Sequence, residues 1–269
     1  MDLHLQNQTA LIVGGASGIG LATANAFAAE GARVALWDRN EAVHEAARQL
    51  SGDRREAASA FVVDVTDSAA VNKALEATLE RFGQIDHLVH AAAIGSGKFG
   101  FPFTNLQPAD WPKVLAVNIM GMVNIAHAIG PHMVSRKAGT MVFLASVAGQ
   151  IGSQTDPPYS AAKAANINFA QCLAKDLAPH GARVNTVCPG MVQTPLNRSV
   201  WQAWNDQAKP EDRLTYEEWS DRKIRAVVPL GKWQTPEAIA DMILFLSSDR
   251  AAHVTGQTIN VDGGFVMHW

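Results

Sequence analysis

The sequence contains few cysteines and no surplus of positive charge. Its 269 residues include two cysteines, Cys172 and Cys188, which are too few for a disulfide framework, so we expect a reducing, cytoplasmic location. The 22 lysines and arginines are outnumbered by 25 aspartates and glutamates, which gives a formal net charge of −3. Because no basic excess is available to neutralise phosphates, we expect no nucleic-acid partner.

Long apolar runs and metal-ligand patterns are also missing. No stretch reaches the roughly 18 unbroken apolar residues of a membrane span, and the opening MDLHLQNQTA lacks the features of a secretion signal. We therefore expect no membrane partner. His87 and His90 stand three apart on a predicted strand and so face opposite sides of it. No other histidine or cysteine pattern has ligand spacing, so we expect no catalytic metal.

Short apolar runs alternate with longer segments of helical spacing. Hydrophobic residues make up 48% of the chain, which is enough for a large core. Seven runs rich in β-branched residues are typical of strands buried on both faces, at 10–13, 33–37, 60–63, 87–90, 140–146, 183–188 and 258–261. Helical spacing is clearest at 67–82, 110–136 and 159–180. The alternation predicts an α/β fold, a single doubly wound Rossmann-type domain over residues 1–269 with a seven-stranded parallel sheet and helices on both faces.

One segment, 194–229, interrupts this alternation. It carries four large aromatic residues, Trp201, Trp204, Tyr216 and Trp219, among many charged residues. It falls between the sixth strand and the helix opening at Pro236. A long insertion in a compact domain is often functional, so we interpret it as a lid over the substrate. The alternative is a pair of surface helices whose aromatic residues only pack on the body of the domain.

A glycine-rich loop follows the first strand directly. Gly14, Gly18 and Gly20 precede a predicted helix, an arrangement that allows a tight turn and a close approach of the backbone to a phosphate at the helix N-terminus. Asp38 ends the second strand about 20 residues further on, where a carboxylate would bond a ribose diol and repel a 2′-phosphate. Asp64 ends the third strand, which places it at the same edge of the sheet. A cap for the helix starting near Thr66 is the other interpretation, and the two roles are compatible.

Tyr159 and Lys163 stand at positions i and i+4 of one predicted helix and therefore share a face. An ammonium about 4 Å from the phenol, at an effective dielectric constant near 20, would lower the phenol pKa by roughly three units. The phenol could then exchange a proton near neutral pH. Ser146 ends the fifth strand 13 residues earlier, and Asn118 lies inside a predicted helix, where a buried amide needs a polar partner.

Together these features make the sequence resemble the short-chain dehydrogenase/reductase family over nearly its whole length. The resemblance rests on the glycine loop, Asp38, Asp64, the set Asn118, Ser146, Tyr159 and Lys163, the pair Pro189-Gly190, and the ending Thr255 to Gly264. Two positions depart from the family pattern. Val13 stands where threonine is usual, and His90-Ala91-Ala92-Ala93 stands where the family has Asn-Asn-Ala-Gly.

The resemblance implies a role for each matching residue. Tyr159 would be the general acid/base, Lys163 would lower its pKa and bond the nicotinamide ribose, Ser146 would orient the substrate oxygen, and Asn118 would hold a water in a proton relay. The residues expected to contact an NAD cofactor are Gly14, Ser17, Gly18, Ile19, Gly20, Asp38, Asp64, Val65, Ala92, Tyr159, Lys163, Pro189, Gly190, Val192 and Thr194.

The sequence leaves the substrate open. Its expected contacts are Ser146, Gln154, Tyr159, Met191, Leu196, Trp201 and Trp204. This mainly apolar set suits a secondary alcohol or ketone with a hydrophobic or ring body, converted by NAD-dependent hydride transfer. A sugar, polyol or sugar acid handled by the same mechanism is an alternative, and a non-catalytic NAD-binding sensor or scaffold is an alternative of another class. Reduction of a ketone on an acyl carrier is disfavoured by Asp38, and the resemblance implies a homotetramer.

Overall fold

The computed structural model describes residues 2–52 and 57–268 of the chain. The strands are β1 (Thr9–Val13), β2 (Arg33–Asp38), β3 (Ala58–Val62), β4 (His87–His90), β5 (Gly139–Leu144), β6 (Ala182–Pro189) and β7 (Thr258–Val261). The helices are α1 (Gly18–Ala29), α2 (Ala42–Ser51), α3 (Ser68–Phe82), α4 (Trp111–Leu115), α5 (Gly121–Arg136), α6 (Pro157–Leu177), α7 (Pro195–Gln207), α8 (Tyr216–Val227) and α9 (Pro236–Ser247).

The strands form one parallel sheet in the order β3-β2-β1-β4-β5-β6-β7. This confirms the predicted doubly wound α/β fold, and each predicted strand matches an observed one to within two residues at either end. The strand order reverses between β1 and β4. In such sheets a crevice opens at this point, at the carboxyl ends of the strands.

Two apolar layers cover the two faces of the sheet. Phe27 of α1 and Ile243 of α9 share one buried cluster with Leu36 of β2. Ile125 of α5 shares a second cluster with Leu88 of β4 on the opposite face. Since all five side chains are fully buried, the central strands contribute apolar residues to both sides, as their continuous apolar runs predict.

The predicted helix at 110–136 is helical throughout but not uniform. A π-helical turn, Ala116–Met120, separates α4 from α5. The stretch Pro108–Arg136 is long and apolar enough to cross a bilayer by length and composition alone. In this fold it packs against α3 and α6, and Met122, Ile125 and Ile129 are fully buried, so the core of the domain accounts for its apolar character.

The segment 194–229 forms the helices α7 and α8. Their aromatic side chains pack on one another, with Tyr216 between Trp201 and Trp219 at centroid distances of 5.8 and 6.1 Å. The Tyr216 hydroxyl donates to Asn197 Oδ1 across the pair at 2.9 Å. The insertion is therefore a helix pair with an aromatic interior of its own, and its role as a lid stays a prediction at this point.

A buried hydrogen bond between β2 and α3 allows the packing of the sheet against this helix to be tested. Trp37 Nε1 donates to Thr78 Oγ1 at 3.0 Å, and both side chains are fully buried. We expect Thr78→Val to lower the free energy of unfolding by about 1–3 kcal/mol, because the indole N–H loses its acceptor in a place that water does not reach. Denaturant unfolding of the variant and the wild type measures the difference.

The control is the same substitution in a Trp37→Phe background, where the donor is absent. Thr78→Val should cost clearly less there, since neither partner of the bond is then left alone. Equal costs in the two backgrounds would show that the hydrogen bond contributes nothing.

Candidate active site

The turn from β1 into α1, residues 14–20, is compact because four of its residues are glycines. Gly14 has φ +85°, and a Cβ at Gly20 would lie 2.0 Å from the Gly14 carbonyl oxygen, so neither position accepts a side chain without a shift of the backbone. The amides of Gly14 and Gly15 donate to the Trp37 carbonyl at 2.7 and 3.2 Å. Ser17 precedes α1 in an extended conformation without a side-chain cap, which leaves the first amides of the helix available to an anion.

Asp38, the last residue of β2, is bonded to this loop. Its Oδ2 accepts from the Ala16 amide at 3.0 Å and its Oδ1 from the Asn40 amide at 2.9 Å. These bonds fix the carboxylate beside the glycine loop, at the lip of the crevice. Arg39 and Asn40 line the crevice at the same end.

Asp64 lies at the same edge of the sheet, just after β3. Its Oδ1 accepts from the Thr66 amide at 2.8 Å and from the Thr66 hydroxyl at 2.7 Å. These two bonds hold the pKa of Asp64 below its usual value. The helix-cap alternative for Asp64 is wrong, because Asp67 caps α3 by accepting from the amides of Ala69 and Ala70.

Tyr159 and Lys163 share the face of α6 that looks into the crevice, as their spacing predicts. Lys163 Nζ lies 5.5 Å from the centroid of the Tyr159 ring and donates to the Leu144 carbonyl at 2.6 Å. Lys163 is 2% exposed. Ser146 stands just beyond β5 and hydrogen-bonds to the phenol, so the end of this strand and the face of α6 meet at one point.

The pKa values of this pair depart from the sequence-based expectation. We expected Lys163 to lower the pKa of Tyr159, but burial raises it well above its usual value, and the hydrogen bond of Ser146 offsets this only in part. Burial also lowers the pKa of Lys163 to about 8. Removal from water disfavours the charged form of both groups, and here this effect outweighs the attraction between a phenolate and an ammonium.

Asn118 is fully buried in the π-helical turn between α4 and α5. Its Nδ2 donates to the Ile94 carbonyl and its Oδ1 accepts from the Ile94 amide, both at 2.9 Å. Ile94 is therefore the polar partner that a buried amide requires. The two bonds hold the segment after β4 against the helix, and Ile94 itself lines the crevice.

The crevice continues into a cavity of about 500 Å³. All fifteen residues predicted to contact the cofactor line it, and so do Ser146, Met191 and Leu196 from the predicted substrate set. The structure thus brings together residues of β1, β2, β5, β6, α1, α6, α7 and α8 and of the segment after β3 at one edge of the sheet.

Three residues of the predicted substrate set do not line this cavity. Trp201 donates from Nε1 to the Leu214 carbonyl at 3.1 Å and packs on Tyr216, so its indole is used inside the helix pair. Trp204 lies on the same helix and is also absent from the cavity wall. Gln154 is exposed and faces a separate shallow depression. The spacing of aromatic residues in the sequence did not show which of them face inward.

Asp156 is a site residue that the sequence reasoning missed. It is 8% exposed, lines the cavity and caps α6 at the turn that carries Tyr159. Its Oδ2 accepts from the Ser96 amide at 2.7 Å, which binds the loop after β4 to α6. Burial raises the pKa of this carboxyl. An aspartate directly before two prolines is a helix-start signal that could have identified it.

His90 stands where the family pattern has asparagine, so one polar side chain replaces another at this position. His90 is 2% exposed and packs against Phe143, and neither ring nitrogen has a hydrogen-bond partner within residues 2–52 and 57–268. Burial lowers the pKa of His90 to about 3, so the ring is neutral. The position at which the family has asparagine therefore holds a buried, neutral imidazole.

The remaining histidine and cysteine residues give no sign of a metal site. His87 stacks on Phe27 on the face of the sheet opposite to His90, so the two rings point apart as predicted. No group of three or more histidine, cysteine, aspartate or glutamate side chains is arranged to hold an ion in the described part of the chain. Cys172 is exposed, Cys188 is buried, and both are free thiols.

A doubly wound sheet with a glycine loop, an acid after β2 and a tyrosine–lysine pair over one cavity is typical of nicotinamide-dependent oxidoreductases. Comparison with known proteins agrees with this class. A family model described as enoyl-(acyl carrier protein) reductase matches residues 14–266. The 3-oxoacyl-(acyl-carrier-protein) reductase of Thermotoga maritima is 32% identical over 269 residues, which cover 98% of this chain and 100% of that protein.

Two further similarities come from sugar and polyol chemistry. D-threitol dehydrogenase of Mycolicibacterium smegmatis is 34% identical over 267 residues, covering 99% of this chain and 95% of that protein. The crystal structure of L-sorbose reductase from Gluconobacter frateurii, complexed with NADPH and L-sorbose, has a TM-score of 0.89 and 29% identity over 100% of both chains. The chain therefore belongs to the short-chain dehydrogenase/reductase family.

The pKa of Tyr159 in the cofactor-free protein can be measured directly. Tyr159 and Tyr216 are the only tyrosines in the chain, so Tyr216→Phe leaves a single phenol to titrate. We expect this phenol to ionise above the value of about 10 for free tyrosine, because burial favours the neutral form. The phenolate absorbance, followed as the pH rises, gives the midpoint.

The control is the variant that lacks both tyrosines, which should give no phenolate signal. Circular dichroism at each pH shows whether the protein is still folded. A midpoint below 10 in the folded, cofactor-free protein would mean that the charge of Lys163, rather than burial, governs the phenol.

Proposed function

We propose that the protein is an NAD(H)-dependent oxidoreductase that interconverts a secondary alcohol and a ketone. The observation that carries this proposal is that Ser146, Tyr159 and Lys163 line the same cavity as the glycine loop and Asp38. Groups suited to proton transfer therefore lie within one cleft that also has the features of a dinucleotide site.

The residues at the glycine-loop end fit a dinucleotide. The N-terminus of α1 would hold the pyrophosphate, since its first amides have no side-chain cap. The Asp38 carboxylate would accept from the hydroxyls of the adenosine ribose, and Lys163 would bond the nicotinamide ribose. Pro189, Gly190, Val192 and Thr194 would cover the nicotinamide. When bound, the nicotinamide supplies the acceptor or donor of the hydride at the carbinol carbon.

Asp38 is the residue that favours NAD over NADP. A carboxylate held by two backbone amides beside the loop would repel a 2′-phosphate. Arg39 also lines this end of the cavity and is the feature that favours NADP, and the similar L-sorbose reductase is complexed with NADPH. We propose NAD because Asp38 is anchored to the glycine loop itself, whereas no hydrogen bond from Arg39 to this loop is found within residues 2–52 and 57–268.

Tyr159 acts as the general acid and base in the proposed reaction. Its raised pKa keeps the phenol protonated at neutral pH, which suits donation of a proton to the carbonyl oxygen during reduction. In alcohol oxidation the phenol oxygen must take up a proton, and a neighbouring cation assists this by stabilising the phenolate; Lys163 is such a cation. Ser146, already bonded to the phenol, orients the substrate oxygen.

Asn118 contributes through its backbone in this proposal. Both polar atoms of its buried side chain bind Ile94, which engages one amide hydrogen and one lone pair of Oδ1, so we assign the relay water to the backbone instead. A π-helical turn shifts the hydrogen-bond register of a helix and releases a carbonyl from it. A carbonyl of the turn Ala116–Met120 is therefore the group that would hold the relay water near Lys163.

The surroundings of Ser146 and Tyr159 are largely apolar and suit a substrate with a hydrophobic or ring body. The apolar wall residues are Val147, Ile151, Met191, Leu196, Val200 and Phe265. A sugar or polyol is the second candidate, favoured by the likeness to D-threitol dehydrogenase and L-sorbose reductase and by polar wall groups at Ser153, Thr155, Asp156 and Asn197.

We also propose a lid and an oligomeric assembly for this protein. Residues of α7 and α8, among them Leu196 and Val200, form one wall of the cavity, so we assign the segment 194–229 to substrate enclosure. A cytoplasmic homotetramer, with the long helices α5 and α6 pairing between subunits, is the assembly that the family resemblance implies. A non-catalytic NAD sensor would need the glycine loop and Asp38 but not the tyrosine–lysine pair.

Tyr159→Phe tests the proposed chemistry. We expect turnover of a panel of secondary alcohols with NAD to fall by at least about 10²- to 10⁴-fold, because the proton donor and acceptor is lost while the ring and its packing remain. The affinity for NADH, measured by fluorescence titration, should stay unchanged. Substantial remaining turnover would count against the role of Tyr159. Silence of the wild type across all alcohol and ketone classes, with NADH still bound, would favour the sensor.

Asp38 variants test the cofactor preference. We expect the wild type to bind NADH more tightly than NADPH, and Asp38→Asn to narrow this difference by roughly 10-fold or more, because the negative charge facing the 2′-phosphate is removed. Asp38→Asn keeps an acceptor for the Ala16 amide, so the loop should remain in place. Fluorescence titrations with both cofactors give the ratio. Tighter binding of NADPH by the wild type would overturn the preference for NAD.

A further inference from the structure

A third positive side chain lines the cavity besides Arg39 and Lys163. Lys223 projects from α8, the second helix of the insertion, and is partly buried. Its neighbour in sequence, Ile224, is buried in a cluster with Met191, which itself lines the cavity just after β6. This packing fixes the part of α8 that carries Lys223 against the segment after β6, away from Asp38 and Arg39 at the other end of the sheet edge.

Lys223 has no anionic partner in the described part of the chain. Its Nζ lies 4.7 Å from the centroid of the Trp219 ring, and neither an ion pair nor a hydrogen bond is found for it within residues 2–52 and 57–268. Asp221, an acid of the same helix, pairs with Arg225 instead. Burial without a counter-charge lowers the pKa of Lys223. A partly desolvated ammonium on a cavity-lining residue that lacks a counter-ion is ready to bind an anion.

The cofactor is not the expected source of this anion. The pyrophosphate is expected at the N-terminus of α1, whose uncapped first amides supply its donors, so it does not need Lys223 as a counter-charge. The carboxyl of Asp156, the acid of the cavity wall near Tyr159, is already bonded to the amides of Ser96 and Tyr159. The substrate is therefore the remaining source of an anionic group that could pair with Lys223.

We propose that Lys223 is a specificity-determining residue that binds an anionic group of the substrate. The preferred substrates are then secondary alcohols or ketones that also carry a carboxylate, sulfonate or phosphate, with an apolar portion between this group and the reacting carbon. The apolar portion would lie against residues such as Met191 and Val200. The inference rests on the proposed oxidoreductase function and narrows its substrate class.

The test uses matched pairs of ketones that share a carbon skeleton and differ in one group, an oxo-acid against its primary amide. Oxo-carboxylates, oxo-sulfonates and oxo-phosphates form the three anionic arms. Initial rates with NADH are measured for the wild type, Lys223→Met and Lys223→Arg. Arg222→Met is the matched control, because Arg222 is an exposed cation on the same helix, does not line the cavity and loses the same charge.

We expect the wild type to prefer at least one class of oxo-acid over its amide in kcat/KM. Lys223→Met should lower kcat/KM for that acid by about 10- to 100-fold, the effect of one charge-assisted hydrogen bond, mainly through KM. In Lys223→Met, kcat/KM for the amide and the affinity for NADH should be unchanged. Arg222→Met should behave like the wild type with every substrate, and Lys223→Arg should retain most of the preference for the acid. Equal loss for acid and amide in Lys223→Met, or no acid preference in the wild type, would overturn the proposal.

A binding measurement separates this inference from the proposed function. Calorimetric titration of each oxo-acid and amide into the protein–NADH complex shows whether anion binding depends on Lys223, with or without turnover. Turnover of neutral ketones without any acid preference would leave the oxidoreductase function standing and refute the role of Lys223. Acid binding that is lost in Lys223→Met, in a protein that reduces no ketone, would support Lys223 and refute the proposed reaction.

Discussion

The parallel pairing of all strands is the constraint on which the site depends. Because the strands run in one direction, the residues that follow β1, β2, β3, β5 and β6 meet at a single edge, and the reversal of order between β1 and β4 opens a crevice there. Asp38, Asp64 and Ser146 reach the crevice for this reason alone. A shift of one residue in the register of β2 would turn Asp38 away from the glycine loop, since side chains alternate between the faces of a sheet.

Burial of Lys163 and Tyr159 at the centre of the site costs free energy and shifts the pKa values of both side chains. Lys163 is held in the interior by the Leu144 carbonyl and the Tyr159 ring rather than by a carboxylate. Its lowered pKa and the raised pKa of Tyr159 record the free energy of removing both charged forms from water. The fold keeps this unfavourable arrangement because both side chains lie on one rigid helix, which Asp156 caps.

The insertion shapes the cavity through its own small core. Tyr216 is surrounded by Trp201, Trp219 and Trp233, and the guanidinium of Arg198 lies 4.4 Å from the centroid of its ring. The Tyr216 hydroxyl also holds Asn197, a residue of the cavity wall. The wall formed by α7 and α8 is therefore positioned by contacts inside the insertion together with Trp233 and the packing of Ile224 on Met191.

The sequence by itself determined the strand–helix alternation, the glycine loop, the acids after β2 and β3 and the tyrosine–lysine pair, because these depend on local spacing and on the direction of the strands. Tertiary structure alone decided which side chains of 194–229 face the cavity. It turned Trp201 into the insertion and Lys223 toward the cavity, although neither position carries a periodic signal. It also reversed the expected pKa shift of Tyr159, because desolvation depends on every neighbour in space and not on the spacing of two residues along a helix.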